Sequence, residues 1–99
     1  MALAIQWTRT ADKKFASIIE HLDNEWGEIT VRKFVKKIDD FLEILSQFPE
    51  IGSTENSEKN IRGFVITKQT TIFYRIKKDK IILLNLFDNR QHPSGKLYK

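Results

Sequence analysis

Three polar residues that can bind phosphate or move a proton, Arg90, Gln91 and His92, come shortly after an apolar run that ends at Phe87. A guanidinium group grips phosphate through two hydrogen bonds, and an imidazole exchanges a proton near neutral pH. Side chains at the end of a rigid strand suit either task, because loops at strand ends carry function more often than strand interiors. The same residues also fit a solvated strand exit, so they indicate a candidate site without fixing its reaction.

The composition does not favour metal or thiol chemistry. The sequence contains no cysteine, and its two histidines, His21 and His92, lie far apart. Disulfides, thiolate nucleophiles and cysteine-based zinc sites are therefore excluded. We expect neither a metal ion nor any other cofactor.

The positive charge of the chain is concentrated in its C-terminal half. Residues 1–50 contain seven basic and nine acidic side chains, whereas residues 51–99 contain ten basic and four acidic ones. The halves therefore carry −2 and +6 of the total net charge of +4. This asymmetry favours a polyanionic target or an acidic protein partner, although a lysine-rich solvated surface has the same composition.

The length predicts a single domain over residues 1–99, with one core. No apolar run reaches the roughly 18 to 20 residues that span a bilayer, and no signal-type segment opens the chain. We therefore expect a cytoplasmic protein that has no membrane partner.

The first half of the chain predicts a short strand followed by two helices. Residues 3–8 alternate as a strand does, Thr10 can cap a first helix, and Gly27 can end it. A second helix, with apolar residues at steps of three and four, stops at Pro49. The two apolar stripes are too wide to cover each other, so this helical hairpin needs a sheet to lie on. The stripes contain Phe15, Ile18, Ile19, Leu22 and Trp26, then Val31, Phe34, Ile38, Phe41, Leu45 and Phe48.

The second half predicts three strands after a polar surface loop at residues 51–60. Residues 61–67, 71–77 and 80–87 are rich in Ile, Val, Phe and Thr, and short breaks separate them. Connections this short make neighbouring strands antiparallel, and the last strand is apolar enough to be central or covered on both sides. The predicted fold is α+β, in the order β-α-α-β-β-β, with an antiparallel sheet packed against the N-terminal helical hairpin.

The order of these elements, and the residues on them, resemble the RelE/ParE family of bacterial toxins. Each match is short, but their order and spacing together cover essentially the whole chain. The matching residues are Ile5-Gln6-Trp7-Thr8, Leu45-Ser46-Gln47-Phe48-Pro49-Glu50-Ile51-Gly52, Ile61-Arg62-Gly63-Phe64, Ile72-Phe73-Tyr74-Arg75-Ile76 and Leu86-Phe87-Asp88-Asn89-Arg90-Gln91-His92-Pro93.

The resemblance implies the toxin of a type II toxin-antitoxin module, whose cognate partner is an antitoxin protein. It also implies one of two activities. Members similar to RelE cut mRNA on the ribosome without a metal, and members similar to ParE poison DNA gyrase. We expect the first activity, inhibition of translation by ribosome-dependent mRNA cleavage, with gyrase inhibition by protein binding as the alternative. A degraded toxin that retains only antitoxin binding is the remaining alternative.

If the chain is a ribonuclease, the resemblance implies four candidate catalytic residues. Arg62 and Arg90 match the arginine positions of the family and would clamp the phosphate. His92 and Tyr98 would move protons, and Tyr98 could also stack on a base. Arg62 has a structural alternative, which is an ion pair with Glu55 or Glu58 in the preceding loop.

One residue departs from the pattern of the ribonuclease members. Asp88 stands at the strand end where many relatives place a basic group. A carboxylate there repels phosphate unless it pairs with Arg90 or acts as a base. The sequence therefore supplies an incomplete ribonuclease site, with no general base that can be identified.

Overall fold

The computed structural model describes residues 2–88 of the chain. Its elements follow the predicted α+β order, with a short strand, a helical hairpin and then a sheet. They are β1 (Ala4–Trp7), α1 (Arg9–Trp26), α2 (Glu28–Gln47), β2 (Ser53–Asn56), β3 (Ile61–Val65), β4 (Thr70–Lys77) and β5 (Lys80–Asp88). Neither helix is long and apolar enough to cross a membrane.

The first helix begins one residue before Thr10, so the predicted cap is wrong. The cap is Thr8, whose Oγ1 accepts a hydrogen bond of 3.1 Å from the N–H of Ala11. The same hydroxyl donates to the carbonyl of Leu83 at 2.8 Å, which ties the start of the helix to β5. Tertiary contact with the sheet therefore decides between two neighbouring threonines that are equally good caps.

Gly27 joins the helices, as predicted. Its φ of 90° lies in the region that favours glycine, and its N–H donates to the carbonyls of Leu22 and Asp23. The second helix starts at the very next residue, so the connection is a single glycine.

The sheet has five strands in the order β1-β5-β4-β3-β2. As predicted, β3, β4 and β5 are antiparallel neighbours, and β5 lies inside the sheet, between β1 and β4. Two features differ from the expectation. β1 runs parallel to β5, and Ser53–Asn56, expected in a loop, forms an edge strand antiparallel to β3.

Both differences arise from contacts between distant parts of the chain. The antiparallel rule applies to strands joined by short turns, whereas the two helices and three strands separate β1 from β5. The polar sequence of β2 carries little strand signal, but pairing with β3 satisfies its backbone hydrogen bonds.

One face of the sheet packs on the helical hairpin and forms the core. From β4, Ile72 and Tyr74 point to this face and Ile76 packs beside them, as the alternation predicts. Phe41 of α2 stacks on Phe64 of β3, with ring centroids 4.6 Å apart. The buried members of the core are Ala11, Ile18, Leu22, Phe34, Ile38, Phe41, Leu45, Ile72, Tyr74, Ile81, Leu83 and Leu86.

Candidate functional site

Of the four predicted site residues, Arg62 lies within the described part of the chain. It stands on β3, where its Nη1 donates to the carbonyl of Gly52 at 2.7 Å and to that of Glu50 at 3.3 Å. Its Nε is buried and has no hydrogen-bond partner among residues 2–88. No ion pair joins Arg62 to Glu55 or Glu58 in this part of the structure. The guanidinium therefore holds the backbone that follows α2.

Tyr74 holds the same stretch of backbone from the neighbouring strand. It pairs with Arg62 in the β3–β4 register and is fully buried. Its hydroxyl donates to the carbonyl of Pro49 and accepts from the N–H of Gly52, each at 2.9 Å. We refer to Arg62 and Tyr74, with the residues 49–52 that they bind, as the 49–52 clamp.

Burial raises the pKa of the Tyr74 hydroxyl above its ordinary value, because the apolar surroundings penalise the phenolate. The hydrogen bond from Gly52 and the charge of Arg62 act in the opposite direction, and Glu50 adds to the increase. The hydroxyl therefore remains protonated near neutral pH and donates its hydrogen bond.

Gly52 is required where the clamp closes. A Cβ atom at this position would lie 2.7 Å from both the carbonyl oxygen of Gly63 and the hydroxyl of Tyr74. Sequence reasoning noted the Pro and Gly of this stretch but missed Tyr74 as their partner. The available signal was a tyrosine in an otherwise aliphatic core position, because a buried phenol needs a hydrogen-bond partner.

Three apolar side chains at the end of α2 and in the stretch that follows it face solvent. Ile44 is 47% exposed, Phe48 is 63% exposed and Ile51 is 40% exposed. Large exposed apolar residues that lie together are a common sign of a binding surface. The predicted amphipathic stripe had assigned Phe48 to the covered face of α2, and this expectation is wrong because the helix ends at Gln47.

Asp88, the residue that departs from the ribonuclease pattern, is buried at the end of β5 with 2% of its surface exposed. Its Oδ2 accepts a hydrogen bond of 2.8 Å from the hydroxyl of Thr70 on β4. This contact joins two neighbouring strands and gives the carboxylate a structural partner.

The other predicted catalytic residues, Arg90, His92 and Tyr98, lie outside the described residues. Arg62 is therefore not seen together with any of them. His21 lies on α1, where its ring makes an edge-to-face contact with Trp26 at a centroid distance of 6.0 Å. Within residues 2–88, no three His, Asp or Glu side chains are grouped as metal ligands would be.

Comparisons with known proteins agree on one group. A family model described as the ParE toxin of the type II toxin-antitoxin system parDE matches residues 5–93. No curated protein matches the sequence.

Several solved structures share the fold. A chain of the chromosomal ParDE toxin-antitoxin system from P. aeruginosa is 21% identical, with a TM-score of 0.72; 88% of this chain and 96% of that one are covered. A YoeB/ParE toxin from Agrobacterium tumefaciens is 14% identical, with a TM-score of 0.63 and coverages of 87% and 98%. A chain of the E. coli DinJ-YafQ toxin-antitoxin complex is 8% identical, with a TM-score of 0.60 and coverages of 93% and 98%.

Proposed function

We propose, on the premise that this chain belongs to the ParE toxin family of type II toxin-antitoxin systems, that it acts by binding DNA gyrase. The family makes the protein a toxin. The further step, that the toxin inhibits a protein target and does not cut RNA, is our proposal.

The observation that carries this proposal is the position of Arg62. A phosphate clamp needs a guanidinium whose donors face an open site. Here Nη1 is engaged by the carbonyls of Gly52 and Glu50, and Nε is buried. Asp88, the residue that departs from the ribonuclease pattern, accepts a hydrogen bond from Thr70. Both residues therefore have structural partners, and an inhibitor that works by surface contact requires no acid, base or phosphate clamp.

We propose that the activity is neutralised by a cognate antitoxin protein. The solved relatives from P. aeruginosa and E. coli come from toxin-antitoxin systems, as their descriptions state. The charge of +6 over residues 51–99 suits an acidic segment of such a partner. Gyrase and ribosomes are both cytoplasmic, so the proposed activity places the toxin in that compartment.

Ribosome-dependent mRNA cleavage is the second candidate. The run Arg90-Gln91-His92 favours it because these residue types suit phosphate binding and proton transfer. In this alternative Arg90 clamps the scissile phosphate, and His92 and Tyr98 move protons. Arg62 would then contribute through its remaining amino group.

Two parallel assays separate the candidates. The purified chain is titrated into supercoiling of relaxed plasmid by gyrase, and into cell-free translation of a defined mRNA whose 5′ ends are mapped by primer extension. We expect loss of supercoiling and intact mRNA. New 5′ ends that need ribosomes, and that disappear in Arg90→Ala but not in the loop control Lys59→Ala, would establish cleavage instead. Normal supercoiling with intact mRNA would leave antitoxin binding as the one remaining function of the three.

A further inference from the structure

Basic side chains are concentrated at the end of the sheet where β4 turns into β5. Lys77 and Lys80 are register partners on these strands, so their Cβ atoms lie about 5 Å apart on one face of the sheet. Arg75 comes two residues before Lys77 on β4 and shares that face, which is turned away from the helical hairpin. Lys78 lies in the turn. We call these four residues the basic end of the sheet.

The charge of the basic end has no acidic partner within residues 2–88. The ion pairs in this part of the chain both lie on α2. Arg75 stands between two apolar register neighbours, Ile61 and Ile82. Lys80 donates a hydrogen bond of 3.1 Å to the side-chain oxygen of Gln6, which is neutral. The cations are therefore available to an anion from outside.

This arrangement is unfavourable for the isolated chain. Residues 75–80 contain four basic side chains and one acidic one, Asp79, which gives a local charge of +3. Like charges directly opposite each other on neighbouring strands destabilise a sheet, and Lys77 and Lys80 are so placed. Lys78 has φ 35°, in the left-handed region that non-glycine residues seldom adopt. A strained, self-repelling cluster of cations indicates a surface whose charge serves binding.

The backbone below the basic end is fixed before any partner arrives. The N–H of Ile76 donates to the carbonyl of Asn60 at 3.3 Å, and Asn60 returns a side-chain hydrogen bond of 3.0 Å to the carbonyl of Ile76. Because Arg75 and Lys77 flank this residue, the positions from which their side chains extend are set by the sheet. Binding then orders side chains only, which limits its entropic cost.

The lysine content argues against a protein surface as the partner. Three of the four residues are lysines, and lysine is depleted at protein–protein interfaces, whose centres are rich in aromatic side chains. None of the large exposed apolar side chains of residues 2–88 belongs to residues 75–80. A surface of flexible cations without an apolar centre suits a uniform polyanion better than it suits a folded protein.

We infer that the basic end contacts the phosphate backbone of the double-stranded DNA that gyrase holds. This inference rests on the gyrase function proposed above and adds DNA to the surfaces that the toxin touches. Lys and Arg side chains neutralise phosphates and release their counterions, and such contacts carry no base information. The toxin should therefore bind DNA of any sequence, with an affinity that falls as salt rises.

The first test measures binding of the purified chain to a short duplex of arbitrary sequence by fluorescence anisotropy. Lys77→Gln/Lys80→Gln removes two charges from the basic end. Lys33→Gln/Lys37→Gln removes two charges from exposed positions on α2 and is the matched control. We expect Kd to rise by about tenfold or more for the first variant and by less than about threefold for the control.

The salt dependence separates phosphate contact from an effect on folding. Each phosphate contact contributes about 0.9 to the slope of log K against log salt concentration, so Lys77→Gln/Lys80→Gln should lower this slope by about two. Lys77→Arg/Lys80→Arg keeps both charges and should retain the affinity and the slope. Thermal unfolding checks each variant, and the Gln variant should be at least as stable as the wild type because it relieves repulsion.

The second test titrates the toxin onto gyrase with and without bound duplex. We expect tighter binding when DNA is present, and we expect Lys77→Gln/Lys80→Gln to remove this difference. Loss of affinity for DNA-free gyrase in the same variant would instead assign the basic end to an acidic protein surface and overturn the inference.

Other outcomes would also contradict the inference. Equal DNA affinities for the wild type and Lys77→Gln/Lys80→Gln would show that the basic end is not the contact. A wild-type chain that binds neither free duplex nor DNA-loaded gyrase in preference to DNA-free gyrase would overturn DNA contact altogether. Tighter binding to single-stranded RNA than to duplex DNA would assign the basic end to RNA. Duplex binding through the basic end with normal supercoiling would refute the gyrase proposal and leave DNA contact standing, so the two failures are distinguishable.

Discussion

Arg62 and Tyr74 stand opposite each other on β3 and β4, and both bind the backbone between Pro49 and Gly52. Resemblance to known toxins had marked Arg62 as a phosphate ligand, whereas Tyr74 stood in a matching strand with no role assigned to it. An arginine can donate the same hydrogen bonds to a substrate or to a backbone carbonyl, and the sequence does not show which acceptor lies nearby. The buried tyrosine is less ambiguous, because a phenol inside a core must find a partner.

Tyr74→Phe should destabilise the protein. The substitution removes two hydrogen bonds and leaves the buried N–H of Gly52 without the acceptor that Tyr74 supplies. Leaving such a donor unsatisfied costs roughly 1–3 kcal/mol of unfolding free energy. Urea unfolding of the two proteins measures the difference. A change smaller than about 0.5 kcal/mol, the range of ordinary surface substitutions, would show that water replaces the hydroxyl.

Tyr74 also predicts how stability depends on alkaline pH. Because its pKa is raised in the folded state, the unfolded chain loses this proton first as the pH rises above the ordinary value of about 10. The contribution is fully present below pH ~10, and the free energy of unfolding then falls by up to about 1.4 kcal/mol per pH unit. Unfolding at pH 8, 10 and 11 tests this, with Tyr74→Phe as the control that should lose this part of the slope. Parallel pH profiles for the two proteins would contradict it.

The helical hairpin depends on a backbone conformation at one residue. Gly27 has φ 90° and ψ −176°, and a Cβ atom at this position would meet no other atom within 4 Å. Any cost of adding a methyl group therefore comes from the backbone conformation and not from a clash. The connection has no other residue that could absorb the change.

Gly27→Ala should reduce the free energy of unfolding by roughly 1–3 kcal/mol, the usual cost of a residue held in a backbone region reserved for glycine. Thermal and urea unfolding provide the measurement. Asn24→Ala, at an exposed position in the last turn of α1, is the control and should change stability by no more than about 0.5 kcal/mol. Equal stabilities for Gly27→Ala and the wild type would mean that the hairpin relaxes by moving its helices.

The elements that were predictable are those specified by local pattern. The steps of three and four residues in α2, and the alternation of Ile72, Phe73 and Tyr74, each follow from the geometry of one helix or strand. The pairing of β1 with β5 and the strand at Ser53–Asn56 depend on residues far away in the sequence, which no local period encodes.

At the scale of the whole molecule, one part of the candidate site could be predicted from local residue types and another part could not. The polar run Arg90-Gln91-His92 is recognisable from residue types alone, and it lies outside the described residues with Tyr98. The exposed apolar surface formed by Ile44, Phe48 and Ile51 was not recognisable, because Ile44 and Ile51 come together only when the end of α2 meets the strands beside it. This surface is a property of the assembled fold, and a periodic pattern predicts only which residues prefer to be covered.

The parallel pairing of β1 with β5 sets the order in which the nascent chain can fold. Ala4 pairs with Lys80 and Ile5 with Ile81, so the first strand cannot enter the sheet until these partners have been made. At about 5–20 residues per second, translation separates these partners by roughly 4 to 15 s. Until then, the helical hairpin lacks β5, the strand against which α1 packs. The five-stranded sheet can therefore be completed only after residues 80–88, its last strand in chain order, have been made.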